Sequence, residues 1–496
     1  NRDEKIMLFN TIDFIIFFVF VLAVTITIKN KKFYILFLLG AGYFFFYYTS
    51  NYLISLLIFS TLLDYFIGNQ IWKTDILTRK KILLVISLAG NLGLLGFFKY
   101  ADFAILQFNI FGQYLDLVEE IPLLHLALPI GISFYTFQTI SYTVDIYRGK
   151  LKPSKSFWEF ALFVSFFPQL VAGPIVRASE FLPQLRAKID SFDAGIKLRQ
   201  ITINSKNLKL GITIMMFGFL KKMFFADNIA PFVNDIFVNP IGLESFSIIL
   251  ATIGFGIQIY CDFSGYSDIA IGAALILGFK LPINFNKPYF ATSPADFWRR
   301  WHISLSSWLR DYLYIPLGGS KKSHVRTYTN LATVMFLGGL WHGASWNFVI
   351  WGLLHGSYLA IHRLIINKFP ILNEIQFFKT RIGKIISILV MQYFVFLAWI
   401  PFRVQDMNSM LYSIQKYLIF DFQTNGILQV LISNKLAIAL MGLFVILHFI
   451  LYMKPNTYEK ILGLNLKKWT IFLIISMSAI LFFYDGNPAD FIYFKF

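Results

Sequence analysis

Runs of about twenty apolar residues recur along the whole of this chain, and most of its charge falls in the short loops between them. A run of that length crosses the hydrocarbon core of a bilayer as an α-helix, which satisfies every backbone polar group within itself. Hydrophobic residues make up 57% of the 496 and charged residues 14%, at a mean hydropathy of +0.63. A soluble domain of this size is excluded by that balance. The expected fold is all-α and polytopic, with roughly eleven transmembrane helices plus re-entrant and interfacial helices. Residues 1–6 sit ahead of a natural-looking start at Met7 and read as an expression remnant; residues 7–496 read as a single integral membrane domain.

The formal charge of +17 comes from 44 basic and 27 acidic side chains, and its placement matters more than its sum. Basic residues sit in short loops, as the positive-inside bias requires, so no nucleic-acid partner is expected. Lys29 to Lys32 and Lys73 to Lys81 mark cytoplasmic loops; Asp102, Asp116, Glu119 and Glu120 mark an external one. Alternation then places both termini outside the membrane. The first apolar stretch runs into Lys29-Asn30-Lys31-Lys32 rather than a cleavage site, so no cleaved leader is read there. Cys261 is the single cysteine, which rules out an intramolecular disulfide framework and a multi-cysteine zinc site. His355 and His362 share a helical face but lie about 10 Å apart along it, too far to hold one ion. No metal is expected.

Pro129 to Asp145 is rich in Ser, Thr, Tyr and Gln and reads as a helix facing a cavity. Phe157 to Ala172 begins and ends beside basic loops, which points to a re-entrant element broken at Gly173-Pro174. Residues 180–209 read as the only long polar linker. Leu210 to Phe225 crosses outward to a loop with Asp227 and Asp235, and Ser247 to Tyr260 crosses back into Asp262-Phe263-Ser264-Gly265-Tyr266-Ser267-Asp268. Two carboxylates in that apolar context require partners. They belong either to a buried hydrogen-bond network or to the chemistry itself.

The densest polar chemistry runs from Ser293 to Gly356. Ser293-Pro294-Ala295-Asp296 is a helix start, with a capping serine, a proline at the first helical position and a carboxylate three residues on. One continuous helix would align Trp298, Trp301, Leu305, Trp308 and Tyr312 on one stripe, with Arg299, His302, Ser306 and Arg310 on the next, and would lie at a membrane surface. Pro316 and Gly318-Gly319 end it. His342 follows in an apolar run, flanked by Trp341 and Gly343. Such an ionisable group needs a partner or a wet cavity, so it is either catalytic or a neutral histidine bonded inside a helix bundle.

FWRRWHISLSSWLRDYLYIPLGG from Phe297 and GGLWHGASWNFVIWG from Gly338 resemble the membrane-bound O-acyltransferases, in the bacterial branch typified by alginate O-acetyltransferase membrane subunits. Similar segments are MLFN at Met7, PIGISFYTFQTISYTVDIYRG from Pro129, FFPQLVAGPIVR from Phe166, GFLKKMFFADNIA from Gly218, IQIYCDFSGYSDIAIG from Ile257 and the final FIYFKF. The resemblance therefore covers nearly the whole chain. It implies transfer of an acyl group from a thioester to a hydroxyl, with acetyl-CoA as a cytoplasmic donor and no permanently bound cofactor. His342 matches the histidine of the WHG motif and is expected to be the general base, with an acyl-histidine intermediate left open. His302 matches the second histidine and is expected to position the donor or partner His342; the alternative is an interfacial histidine beside Trp301. Arg299, Arg300 and Arg310 suit phosphate binding or, equally, positive-inside anchoring. Trp341 and Asp268 are expected at the substrate site.

The resemblance further implies a bacterial inner-membrane location, membrane lipid around the helices, and a central funnel carrying acyl groups outward. An extracytoplasmic SGNH-hydrolase-like acetyltransferase would complete transfer to an exopolysaccharide such as alginate. Peptidoglycan O-acetylation and teichoic-acid D-alanylation would use the same core. A lipid or polysaccharide translocator is the reading from another class, although no inverted repeat with paired broken helices is seen.

Overall fold

The computed structural model describes residues 7–115, 120–170, 173–196, 205–373, 375–423, 426–484, 486 and 491–495. Among these residues the chain is helical throughout, with no β-strand. Six stretches are long and apolar enough to cross a membrane: Lys31–Lys73, Leu77–Tyr114, Ser245–Ile276, Trp346–Lys368, Arg381–Arg403 and Lys435–Met453. The protein is a multi-pass membrane protein. The first stretch breaks at Asn51, whose φ is 53°, into two helices of 20 residues, each long enough to span. Residues 1–6 and the acidic positions Asp116, Glu119, Asp485 and Asp490 lie outside the described residues.

Two compact units are present, Asn1–Met215 with Ile269–Pro282, and Met216–Asp268 with Ile283–Phe496. The first contains α1 (Ile12–Thr27), α2 (Lys31–Ser50), α3 (Ile54–Lys73), α4 (Leu77–Tyr114), α5 (Ile132–Tyr147), α6 (Phe157–Ser165) and α7 (Ala178–Asp193). Asp64 on α3 is fully buried and satisfied from two further helices: Asn91 of α4 donates to it at 2.7 Å, Thr143 of α5 at 2.9 Å, and Ser87 of α4 as well. That explains the polar face of α5, which fixes helix packing here.

Three expectations change in this unit. Residues 178–193 are an amphipathic helix, not linker: Phe181, Leu182, Leu185 and Ile189 are buried and Arg186 pairs with Glu159 of α6. Its apolar side chains recur at helical spacing, a pattern hidden under the mixed charge. Residues 197–204 lie outside the described set. Asp102 sits within α4, which runs well past Phe98, rather than in a loop. In the 157–172 run the helix already ends at Ser165, ahead of Pro168, before the Gly173-Pro174 break point; Val171 and Ala172 are not described.

In the second unit, the end of α8 (Ser205–Phe219) continues through a π-helical turn, Leu220–Ala226, into α9 (Asp227–Val238). Asp227 therefore stands in a helix, not in an external loop. α10 (Ser245–Ile276) is unbroken through the Asp262–Asp268 segment. Gly265 lets it approach closely, since a Cβ there would lie 2.8 Å from the Gly218 carbonyl oxygen. The approach brings Lys222 between Asp262, at 2.7 Å, and Asp227, at 2.8 Å, and sets Lys221 on Asp268 at 2.6 Å. Both carboxylates thus belong to ion pairs, buried for Asp262 and half-buried for Asp268. The unit continues through α11 (Pro294–Arg300), α12 (Ile303–Leu309), α13 (His324–His342), α14 (Trp346–Lys368), α15 (Arg381–Arg403), α16 (Met407–Leu418), α17 (Lys435–Met453) and α18 (Leu466–Phe482).

Candidate active site

The site begins at the helix start that the sequence marks. Ser293 accepts the Asp296 amide at 3.2 Å and Pro294 opens α11. The helix does not continue to Tyr312, however. It stops at Arg300, and His302 takes a left-handed conformation with φ 43° before α12 begins. Backbone pairing with a second segment causes the break: Asn286 donates to the Arg300 carbonyl and Ile303 to the Asn284 carbonyl, each at 2.9 Å. Those interactions remove 300–303 from the helical ladder, so the two stripes of a continuous wheel do not form. Nor does the segment lie on a surface, because Phe297, Trp298, Trp301, His302, Leu305 and Trp308 are all buried.

The break turns His302 inward. Its Nδ1 lies 3.3 Å from Asn284 Oδ1, the oxygen that also accepts the Ser304 amide at 3.2 Å and the Ser304 hydroxyl at 2.7 Å. An oxygen accepting an N–H is the amide's carbonyl, so Nδ1 carries the proton and donates. Nε2 is left with its lone pair, fully buried and without a partner among the described residues. Burial lowers the pKa of this ring to about 3. His302 is therefore a neutral acceptor.

His342 is the last residue of α13. That helix packs tightly on α14 because Gly339 has no Cβ to overlap the Phe348 carbonyl. The His342 ring consequently meets Trp351 with centroids 4.8 Å apart, as well as Phe402 of α15 at 5.2 Å and Tyr493 at 5.4 Å. Trp341 joins the two histidines, standing 5.0 Å from His342 and 5.9 Å from His302. Phe263 of α10 closes the ring of contacts, 4.7 Å from His302 and 4.6 Å from Tyr493. Residues 491–495 are held there by the Ile492 amide, which donates to Asp262 at 2.7 Å.

The structure thus brings His342, His302 and Trp341 into one buried aromatic cluster. The other expected residues lie elsewhere. Arg299 is exposed, Arg300 is taken by Asp296 at 3.0 Å, and Arg310 by Asp311 at 2.7 Å. Asp268 lies on Lys221 and lines a separate cavity. Sequence reasoning missed Asn284, Phe263 and Tyr493. Phe263 and Tyr493 had a signal, in the IQIYCDFSGYSDIAIG and FIYFKF segments; Asn284 lies in none of the quoted segments and reads as an ordinary polar residue.

A model of the membrane-bound O-acyltransferase family matches residues 148–400. Over 77% of its length the chain is 39% identical to a peptidoglycan O-acetyltransferase of Helicobacter pylori, covering 73% of that protein. The chain belongs to the membrane-bound O-acyltransferase family. That membership makes it an acyltransferase. A probable alginate O-acetylase of Azotobacter vinelandii is 41% identical over 66% of this chain, which spans 63% of that relative's length. A teichoic acid D-alanyltransferase of Bacillus subtilis is 30% identical over 47% of this chain and 58% of its own. The two histidines, 302 and 342, both fall within the stretch matched by the family model.

Proposed function

We propose that this acyltransferase is the membrane subunit of a polysaccharide O-acetylation system, taking acetyl from cytoplasmic acetyl-CoA and passing it outward. The observation that carries the reading is the packing of His302 and His342 on one tryptophan, inside a buried aromatic cluster. A hydroxyl attacks the thioester carbonyl carbon while His342 removes its proton. The tetrahedral oxyanion collapses, the C–S bond breaks, and the thiolate leaves with the proton returned by His342. His302, held as the Nδ1–H tautomer, offers Nε2 to an N–H of the donor and so positions the thioester. Aromatic walls keep water from the same carbonyl. Arg299, the arginine not engaged by a carboxylate in the contacts described above, is the one of the three suited to donor phosphate.

Relatives named for O-acetylation are more similar and cover more of the chain than the D-alanyl type, which favours acetyl as the group. An alginate-like exopolysaccharide is the proposed acceptor, with an extracytoplasmic SGNH-hydrolase-like partner completing the transfer. Basic loops such as Lys29 to Lys32 and Lys73 to Lys81, assigned to the inner side, support a bacterial inner-membrane protein with both termini extracytoplasmic. The test is release of free coenzyme A from acetyl-CoA by the protein in liposomes, with the SGNH-hydrolase-like partner and hexuronate polymer or peptidoglycan fragments supplied. His342→Ala should lower turnover by roughly a hundredfold or more while the protein stays folded. Equal rates in variant and wild type would remove His342 from the mechanism, and the polymer that gains acetyl identifies the acceptor.

A further inference from the structure

A second site adjoins the aromatic cluster without being part of it. Within the second unit a cavity of about 280 Å³ is lined by Lys221, Tyr260, Asp268, Asn286, Lys287 and His448, with Phe and Leu side chains filling most of the remaining wall. Its size falls just below the range of drug-sized pockets, roughly 300–1,000 Å³, and suits a small polar group with part of an apolar chain. The segment that clamps His302 through Asn284 continues directly into this wall through Phe285, Asn286 and Lys287. Phe285 also touches Phe263, the ring against His302, with centroids 5.0 Å apart.

Charge decides what such a cavity takes. Two lysines line it and only one carboxylate. Asp268 is committed to Lys221 at 2.6 Å, whereas among the described residues the Lys287 ammonium bonds a neutral oxygen, the Leu451 carbonyl, at 2.7 Å and no carboxylate. Lys287 also stands in a left-handed conformation with φ 48°, which a side chain adopts at a cost. His448 is stacked between Phe444 and Phe290, with centroids 5.0 and 5.2 Å away, and Tyr260 meets its edge at 5.2 Å. Its Nε2 is buried with no partner among the described residues. A half-buried surplus cation and an orphaned imidazole nitrogen, in an otherwise apolar cavity of a membrane protein, are both satisfied by one anion with several oxygens.

We propose that this cavity binds the phosphate ester of an amphiphilic molecule, with Lys287 pairing the phosphate and His448 Nε2 hydrogen-bonding to it. The apolar wall receives the chain attached to that phosphate. Two sources share this chemistry, the phosphate that carries the thioester arm of the donor and the phosphate of a membrane phospholipid. In the first case the cavity is a donor subsite and rests on the acyl-transfer reading; in the second it does not.

Binding measured without turnover separates the two. Purified full-length protein in nanodiscs is titrated with 4′-phosphopantetheine and with pantetheine, and probed by native mass spectrometry for dioleoylphosphatidylglycerol against dioleoylglycerol. The phosphate-bearing member of one pair should bind at least tenfold more tightly than its phosphate-free partner. Lys287→Gln should abolish that difference and Lys287→Arg should retain it. Preference within the pantetheine pair assigns the donor, and preference within the lipid pair assigns a phospholipid. If neither pair shows a preference, or Lys287→Gln leaves it intact in a folded protein, the proposal is overturned. His342→Ala keeps the binding even if it abolishes acyl transfer, so the two readings fail independently.

Discussion

His302 shows how one residue can take its chemical state from a neighbour that is silent in the sequence. Asn284 supplies the oxygen that fixes the imidazole tautomer, and burial without countercharge keeps the ring neutral. Its pKa of about 3 lies below the value near 6.5 of an unfolded histidine. The unfolded chain thus takes up a proton that the native chain refuses. Stability from this group is complete above pH 6.5 and falls on acidification by about 1.4 kcal/mol per pH unit, down to about pH 3. Thermal unfolding of wild type and His302→Gln between pH 7 and 5 should show the variant's slope flatter by one proton. Asn284→Ala should leave Nδ1–H buried without an acceptor, cost about 1–3 kcal/mol, and lower kcat more than it raises KM. The motif made His302 and His342 legible, yet not their tautomers or surroundings. Those come from Asn284, Phe263 and Tyr493, which are remote in sequence.

At the scale of elements, the informative case is α8 and its π-turn against α10. Two aspartates six positions apart in an apolar run are visible in the sequence as groups in need of partners; the adjacent Lys221 and Lys222 that supply those partners are not. Their match required the close approach at Gly265, which no period in the sequence announces. Lys222→Ala should leave Asp262 and Asp227 without their shared countercharge and cost about 3–5 kcal/mol, whereas Lys222→Met with Asp227→Leu and Asp262→Asn, which keeps an oxygen for the Ile492 amide, should recover much of that loss. Differential scanning fluorimetry in detergent compares the two variants. The same limit explains the 293–312 segment. Its local periodicity satisfies a helix from end to end, and only pairing with 284–286 breaks it, so tertiary hydrogen bonds override a sound local pattern. The amphipathic helix Ala178–Asp193 failed for the opposite reason, its weak apolar stripe being masked by charge.

For the molecule as a whole, hydropathy made the class legible at once, because twenty-residue apolar runs admit few folds. The division into two compact units was not legible, since contacts between distant segments define it. One long-range bond within the second unit carries a prediction. Ile492 donates its amide to Asp262, and proline at that position has no N–H to donate. Ile492→Pro should release residues 491–495, remove Tyr493 from His342, and reduce coenzyme A release at least tenfold while membrane insertion, read by protease protection, stays normal. The bond closes a loop of 230 residues. During biogenesis every span between Asp262 and Ile492 must be threaded into the bilayer before that loop can shut. Tyr493 can therefore reach His342 only after all of those spans have been inserted, and until then the His342 ring stands without that neighbour.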